Sequence, residues 1–272
     1  MTQRLRLARL SLVFVFLGML ITGMLGPVIA RAQEPDFPHA LVITVDGIIN
    51  NVKEGFIARA IDKAEENGAA LLIIQLDTPG GLLSSTREIV ELLLESPVPI
   101  AVFVSPRGAR AGSAGTFITA AGNFAVMAPG TNIGAASPIS ATGEDLDDTL
   151  ASKVENDAAA LIRSIAQTRG RNQDKLEETV WTAASYSAQE ALSDNVVDLI
   201  ADDLEDLLAK LDGLIAETSI GTVVLETKGL ELFQLEKNIL EHFLEFISDP
   251  NVSFILLTVG GLGIVVELFN PG

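Results

Sequence analysis

The 272-residue chain has no cysteine, only two histidines, one tryptophan and one tyrosine, and half as many basic residues (18 Lys+Arg) as acidic ones (36 Asp+Glu). Each scarcity excludes something. Without cysteine there is no disulfide, no thiol nucleophile and no Cys-based metal site. His39 follows an N-terminal apolar segment and His242 precedes a C-terminal one. Both read as surface or interfacial residues, so neither a Ser-His-Asp triad nor a histidine metal centre is expected. A formal charge of −18 repels nucleic acid and anionic lipid surfaces. Four of the few positive charges, Arg4, Arg6, Arg9 and Arg31, lie in residues 1–32, so the remainder is more acidic still. The 20% charged and 48% hydrophobic fractions describe a chain that folds, with one main domain. No repeat of fixed period and no low-complexity tract interrupts it.

The two ends carry the long apolar runs. Arg4, Arg6 and Arg9 precede an uncharged stretch from Leu10 to Ala30, and Ala30-Arg31-Ala32 places small residues at alternate positions. This is the pattern of an export signal over 1–32, cleaved after Ala32; an uncleaved anchor is the alternative. Val252 to Val266 is also uncharged, between Asp249-Pro250-Asn251 and Glu267. Gly260, Gly261 and Gly263 suit close helix packing in lipid better than a buried core helix, so 251–272 reads as a transmembrane helix. The stop at Gly272 reads as a truncation of a longer protein.

Between these ends the pattern alternates. Ala40–Val45, Ala70–Leu76 and Pro99–Val104 are short continuous apolar runs, as in strands buried on both faces. Helical spacing follows each of the first two, at Phe56 to Ala64 and Leu82 to Leu94, and a small-residue helix runs from Ser113 to Ala121 before a short strand at Phe124–Met127. One long helix is expected over Asp145–Thr168, and Ser187-Ala188-Gln189-Glu190 is a capping-box pattern. A strand at Val196–Ile200 and a helix at Asp203–Leu211 complete an α/β architecture ending near Gly213. Residues 33–213 are thus the globular domain and 214–250 a juxtamembrane connector. Residues 138–149, rich in Ser, Thr, Gly and Asp, form a loop that substrate could order.

With no usable imidazole, a serine nucleophile needs another base, and a lysine whose pKa is lowered by desolvation or nearby positive charge can serve. Ser113 in Ala111-Gly112-Ser113-Ala114-Gly115 lies at a loop-to-helix junction open to close backbone approach. It is not the Gly-x-Ser-x-Gly elbow, because position 111 is alanine. By itself the pentapeptide reads better as a small-residue helix start packed on a sheet than as a nucleophile turn. Asp77-Thr78-Pro79-Gly80-Gly81 offers main-chain N–H groups to an anion, or is an ordinary strand-to-helix turn. Lys153 lies beside Leu150 and Val154 on the long helix; it is either the base or a surface lysine paired with Asp157.

Taken in order, LDTPGG at Leu76–Gly81, AGSAGTFI at Ala111–Ile118, APGTNIGAASPI at Ala128–Ile139, and Lys153 with Val154, Asn156, Ile162 and Ser164 resemble a known family. They are similar to the membrane-bound ClpP-class serine proteases called NfeD, or stomatin-operon partner proteins. The resemblance is strong over residues 40–212. It implies a ClpP/crotonase-like spiral of ββα units and a Ser-Lys dyad with Ser113 as nucleophile and Lys153 as general base. It also implies that Gly80, Gly81 and the Ala114 amide line the oxyanion hole, that no metal or cofactor takes part, and that apolar stretches of polypeptide are cleaved. A stomatin-like membrane protein is the implied partner, and a homodimer the implied assembly. The catalytic domain is expected outside the cytoplasm, anchored to the cell membrane. Longer members of the family continue into further membrane helices and a small β-barrel domain. Two other readings of the same residues are a non-catalytic scaffold for stomatin-like proteins and a crotonase-like acyl-CoA enzyme, which export disfavours.

Overall fold

The computed structural model describes residues 38–139 and 147–269. The signal segment expected at 1–32, most of the loop expected at 138–149 and the last three residues of the helix expected at 251–272 lie outside the described residues.

The first half of the fold comprises β1 (His39–Asp46), α1 (Asn51–Glu66), β2 (Leu71–Asp77), α2 (Leu83–Leu94), β3 (Ile100–Val104), β4 (Arg110–Gly112), α3 (Ala114–Ala121) and β5 (Phe124–Met127). There follow β6 (Asn132–Gly134), α4 (Asp148–Arg169), α5 (Gln173–Trp181), β7 (Ser185–Ser187), α6 (Ala188–Ser193), β8 (Leu199–Ile200) and α7 (Leu204–Leu211). Last come β9 (Ile215–Thr218), β10 (Gly221–Val224), β11 (Glu231–Gln234), α8 (Ile239–Ser248) and α9 (Pro250–Phe269).

The apolar runs of β1, β2, β3 and β5 form the centre of a six-stranded sheet of order β11-β1-β2-β3-β5-β8, with every neighbouring pair parallel. Successive side chains of a strand point to opposite faces. Leu41, Ile43 and Val45 therefore join one core with α1 to α6, while Ala40 and Val42 join a second with Leu207, Leu208 and Leu211 of α7. Burial on both faces is why these strands read as unbroken apolar runs. Helix starts follow local chemistry: the Asn50 side chain accepts from the Val52 and Lys53 N–H groups, and Ser187 with Glu190 makes the expected capping box.

A second layer of short strands, β4-β6-β7, runs beside the main sheet. It gives the expected unit: β3–β4–α3 and β5–β6–α4 each pass from the main sheet through a three-residue strand into a helix. In the two earlier turns a single bridge replaces the short strand, Ile49 with Gly81 and Thr78 with Ala111. The protein is thus a mixed α/β fold built of ββα steps, and the second layer carries the turns that the motifs mark.

Two expectations are corrected. The segment taken as a juxtamembrane connector supplies β11, which pairs with β1 at His39↔Glu231 to Val42↔Gln234, and buries Ala216 and Leu225 in the second core. The globular part therefore extends past Gly213. His39, expected at the surface, is 1% exposed and packs edge-on against Phe233 with ring centroids 5.3 Å apart, because β11 covers it. The long helix expected at Asp145–Thr168 is α4, capped by Asp147 at its start and by Gly170 in the left-handed conformation at its end.

Candidate active site

Ser113 is held at the head of α3 by three main-chain contacts. Its N–H donates to Gly134 O at 2.9 Å, the Gly112 N–H donates to Thr78 O at 2.9 Å, and its own C=O accepts from Thr116 N at 2.9 Å. All eight residues of α3 are buried, so the helix head cannot shift without disturbing the core. The result is a serine with φ 49° and ψ −110°. A side chain with a Cβ rarely adopts such a conformation, and holding it there costs about 1–3 kcal/mol. Surrounding structure over-determines it, and strain of this kind collects at functional turns.

The Thr78–Gly81 turn faces Ser113. Thr78 Oγ1 accepts from the Gly80 N–H at 3.0 Å and donates to Gly80 O at 3.1 Å, closing the turn on itself. Gly80 adopts φ +127°, and a Cβ there would lie 2.7 Å from Ser113 Cβ and 3.2 Å from its Oγ. Glycine is the residue that lets the two segments meet. The Ile49–Gly81 bridge uses Gly80 O and Leu82 N, leaving the Gly81 N–H outside it. Ala114, first residue of α3, has an N–H without an intrahelical acceptor, and no side chain caps the helix. Among the described residues, the Gly81 and Ala114 N–H groups are the uncommitted donors beside Ser113, whereas the Gly80 N–H is engaged by Thr78.

These residues form the floor of a cleft of about 680 Å³ lined by Ile48, Leu82, Phe117, Pro138, Ile139, Val154 and Ala158, among others. No charged or imidazole side chain lines it among the described residues. Its walls suit an apolar, extended guest, and its low polarity strengthens whatever electrostatic contact is made at its floor.

Ser113, Gly80, Gly81 and Ala114 are therefore brought together, and Lys153 is not among them. Val154 and Ala158, one turn apart on α4, face the cleft; Lys153 is exposed and lines a shallow neighbouring recess with Thr149, Ser152, Asn156 and Asp157. The pairing of Lys153 with Asp157 is not found either, because Asp157 is ion-paired with Arg87 of α2. Lys153 has no carboxylate partner among the described residues. Sequence reasoning missed Thr78 as the residue that locks the glycine turn, and it missed the apolar cleft walls. A threonine preceding Pro-Gly-Gly was the available signal for the first. The second was hidden because Ile48, Phe117 and Val154 come from a loop and two helices far apart in the sequence.

Late in the chain, α9 is long and apolar enough to cross a membrane: mean hydropathy reaches 2.2, and none of that stretch is buried in the protein. The helix before it, α8, is tied to α1. Arg59 Nε donates to Glu241 Oε1 at 2.7 Å, and Glu245 pairs with Lys53 and, at 2.8 Å, with Lys237. No group of three or more metal-ligating side chains occurs among the described residues.

A ββα α/β fold with a strained serine turn in its second layer defines the class. Within it, the chain belongs to the NfeD family, the NfeD1b N-terminal domain matching residues 39–218. The membrane-bound protease PH1510 of Pyrococcus horikoshii is 34% identical over 236 residues, covering 85% of this chain and 53% of that protein. The membrane protein NfeD1b of Bacillus subtilis is 26% identical over 265 residues, covering 94% of this chain and 56% of that one. The chain spans about half the length of these curated relatives. A lysine-to-alanine variant of the 1510-N membrane-bound stomatin-specific protease, solved with a substrate peptide, matches with TM-score 0.72 and 32% identity over 79% of this chain and 100% of that one. A serine-to-alanine variant of the same protease gives 0.70 and 33% over 75% of this chain and 100% of that one.

Proposed function

We propose that this protein is a membrane-anchored serine endopeptidase that cleaves apolar segments of polypeptides, with Ser113 as nucleophile and Lys153 as general base. The observation that carries the reading is the strained Ser113 backbone at a helix head, on the floor of an apolar cleft, beside two uncommitted N–H groups. In the proposed reaction neutral Lys153 takes the Ser113 Oγ proton as the oxygen attacks the peptide carbonyl carbon. The Ala114 and Gly81 N–H groups receive the oxyanion, and Gly80 supplies the room that lets Ser113 stand there. Lysine then protonates the leaving amine as the C–N bond breaks, and water, deprotonated by the same lysine, hydrolyses the acyl-enzyme.

The reading requires the Lys153 side chain to swing from its recess over Val154 into the cleft. Catalytic hydrogen bonds often tighten only when substrate is bound. The lysine and serine replaced in the solved relatives are separated in sequence by about the same distance as Ser113 and Lys153, which supports the assignment. A stomatin-like membrane protein is the proposed substrate class, after the specificity named for those relatives. The proposed placement is a homodimer with its catalytic domain outside the cytoplasm, after a signal segment over 1–32 and before an anchor at 251–272.

The test is hydrolysis of a fluorogenic apolar peptide by the full chain in detergent, beside Ser113→Ala and Lys153→Ala. Ser113→Ala is expected at background, and Lys153→Ala about 10²–10⁴-fold down in kcat/KM, the usual loss for an acid–base residue. Undiminished turnover in either variant sinks the dyad. An inert wild-type chain that still binds a stomatin-like protein points instead to a scaffold.

A further inference from the structure

Helix α8 turns its acidic side to the protein. Glu241 and Glu245 stand one turn apart and are held by Arg59, Lys53 and Lys237, which fixes the rotation of the helix on α1. The opposite side carries Ile239, Leu240, Phe243 and Phe246, which are 90%, 63%, 57% and 61% exposed, and no residue of α8 is buried. A contiguous apolar stripe of this kind marks an interaction surface.

The next element decides what covers it. Only Asp249 separates α8 from α9, the helix apolar enough to cross a bilayer and unburied along its length. A face that begins one residue from the membrane-crossing segment lies at the membrane surface. We propose that α8 is an interfacial helix, its Ile239, Leu240, Phe243 and Phe246 side set into the boundary between lipid headgroups and acyl chains while its acidic side stays fastened to α1. The proposal rests on the reading of α9 as a membrane span.

Interfacial helices commonly add Lys and Arg on the polar face and gain attraction to anionic lipid. Here the polar face is acidic and neutralised by the protein, so apolar area alone carries the contact, and zwitterionic lipid suffices. The arrangement also sets where the cleft stands. A recess bordered by Glu245, Ser248, Asp249 and Pro250 shares Ile48 and Leu82 with the Ser113 cleft, so fastening α8 to the membrane holds that cleft close to the bilayer surface.

The absence of cysteine makes the test direct. Four single-cysteine variants of the full chain carry an environment-sensitive fluorophore: Phe243→Cys and Leu240→Cys on the α8 face, Leu257→Cys on α9, and Glu66→Cys at the exposed end of α1. Each is reconstituted at one copy per phosphatidylcholine nanodisc. Quenching is read with iodide in the water and with bromine placed shallow or deep in the lipid. The expected result is severalfold less iodide quenching at 243 and 240 than at 66, with strongest quenching by shallow lipid, at a depth on the order of 5–10 Å. Position 257 is expected to respond to deep lipid. If 257 is deep while 243 and 240 are as open to iodide as 66, the proposal fails and the membrane span stands. If 257 is also open to iodide, the span itself fails. Protection of 243 and 240 only in discs holding two copies assigns the face to a second copy and overturns the proposal.

Discussion

Ser113 is the residue at which local preference and global structure disagree. Its left-handed backbone is imposed from three sides: Gly134 O on its N–H, the buried helix α3 behind it, and the Thr78–Gly80 turn in front. If the strain is what the fold bears for a reactive serine, relieving it should stabilise the protein while abolishing turnover. Glycine tolerates positive φ, whereas alanine keeps the strain and loses only the hydroxyl. Ser113→Gly is therefore expected to unfold at or above the temperature of Ser113→Ala in a thermal scan, with both inactive. At an unstrained position glycine would be about 0.5–1 kcal/mol worse than alanine, and that outcome would remove the strain argument.

At the scale of elements, the α8 docking is an ionic device whose pH response has a sign. Burial pushes the Glu245 carboxyl up, but hydrogen bonds and charge from Lys237 and Lys53 outweigh it and leave the group below the ordinary 4.5. Glu241 behaves alike: burial raises it, and Arg59 with the Asn238 N–H brings it below 4.5. A carboxylate depressed in the folded state contributes stability that is fully present above its unfolded value and lost as pH falls through its folded value. Docking of α8 on α1 is thus expected to hold at neutral pH and to release progressively below about pH 4.5. Energy transfer between probes on Ser248→Cys and Glu66→Cys reads it, and Glu245→Gln should show part of the loosening at neutral pH. A separation that stays constant through acid would show that the glutamates do not hold the helix. The same scale shows what the sequence made legible. β1, β2, β3 and β5 were visible because burial on both faces writes an apolar run. β4, β6 and β7 were not, since Arg110-Ala111-Gly112, Asn132-Ile133-Gly134 and Ser185-Tyr186-Ser187 are too short and too mixed to show a period. Ser113 and the two glycines were legible as turn chemistry. The side of α4 that meets the cleft was less so: Leu150, named beside Lys153 on the long helix, is half exposed, and Val154 with Ala158 does the lining.

For the whole molecule, the decisive contact joins the two ends of the globular part. β11 comes long after β1 in sequence yet completes the sheet beside it, and no local pattern announces a parallel pairing over that separation. The expected boundary near Gly213 failed for this reason. Cutting there would leave the main-chain groups of His39 to Val42 unpaired along an apolar edge, a template for association. It would also remove Leu225 from the second core, worth about 1.5–3 kcal/mol for a fully buried leucine, and Ala216 beside it. A chain of residues 38–236 is expected to stay soluble and unfold cooperatively. One of residues 38–213 should aggregate or unfold at a temperature lower on the order of 10 °C, given roughly 2–4 °C per kcal/mol for a domain of this size. Sedimentation and a thermal scan of the two chains in parallel decide it. Equal Tm and equal solubility would mean that β9, β10 and β11 are an appendage, and that the folded domain ends near Gly213, where the strand and helix pattern placed it.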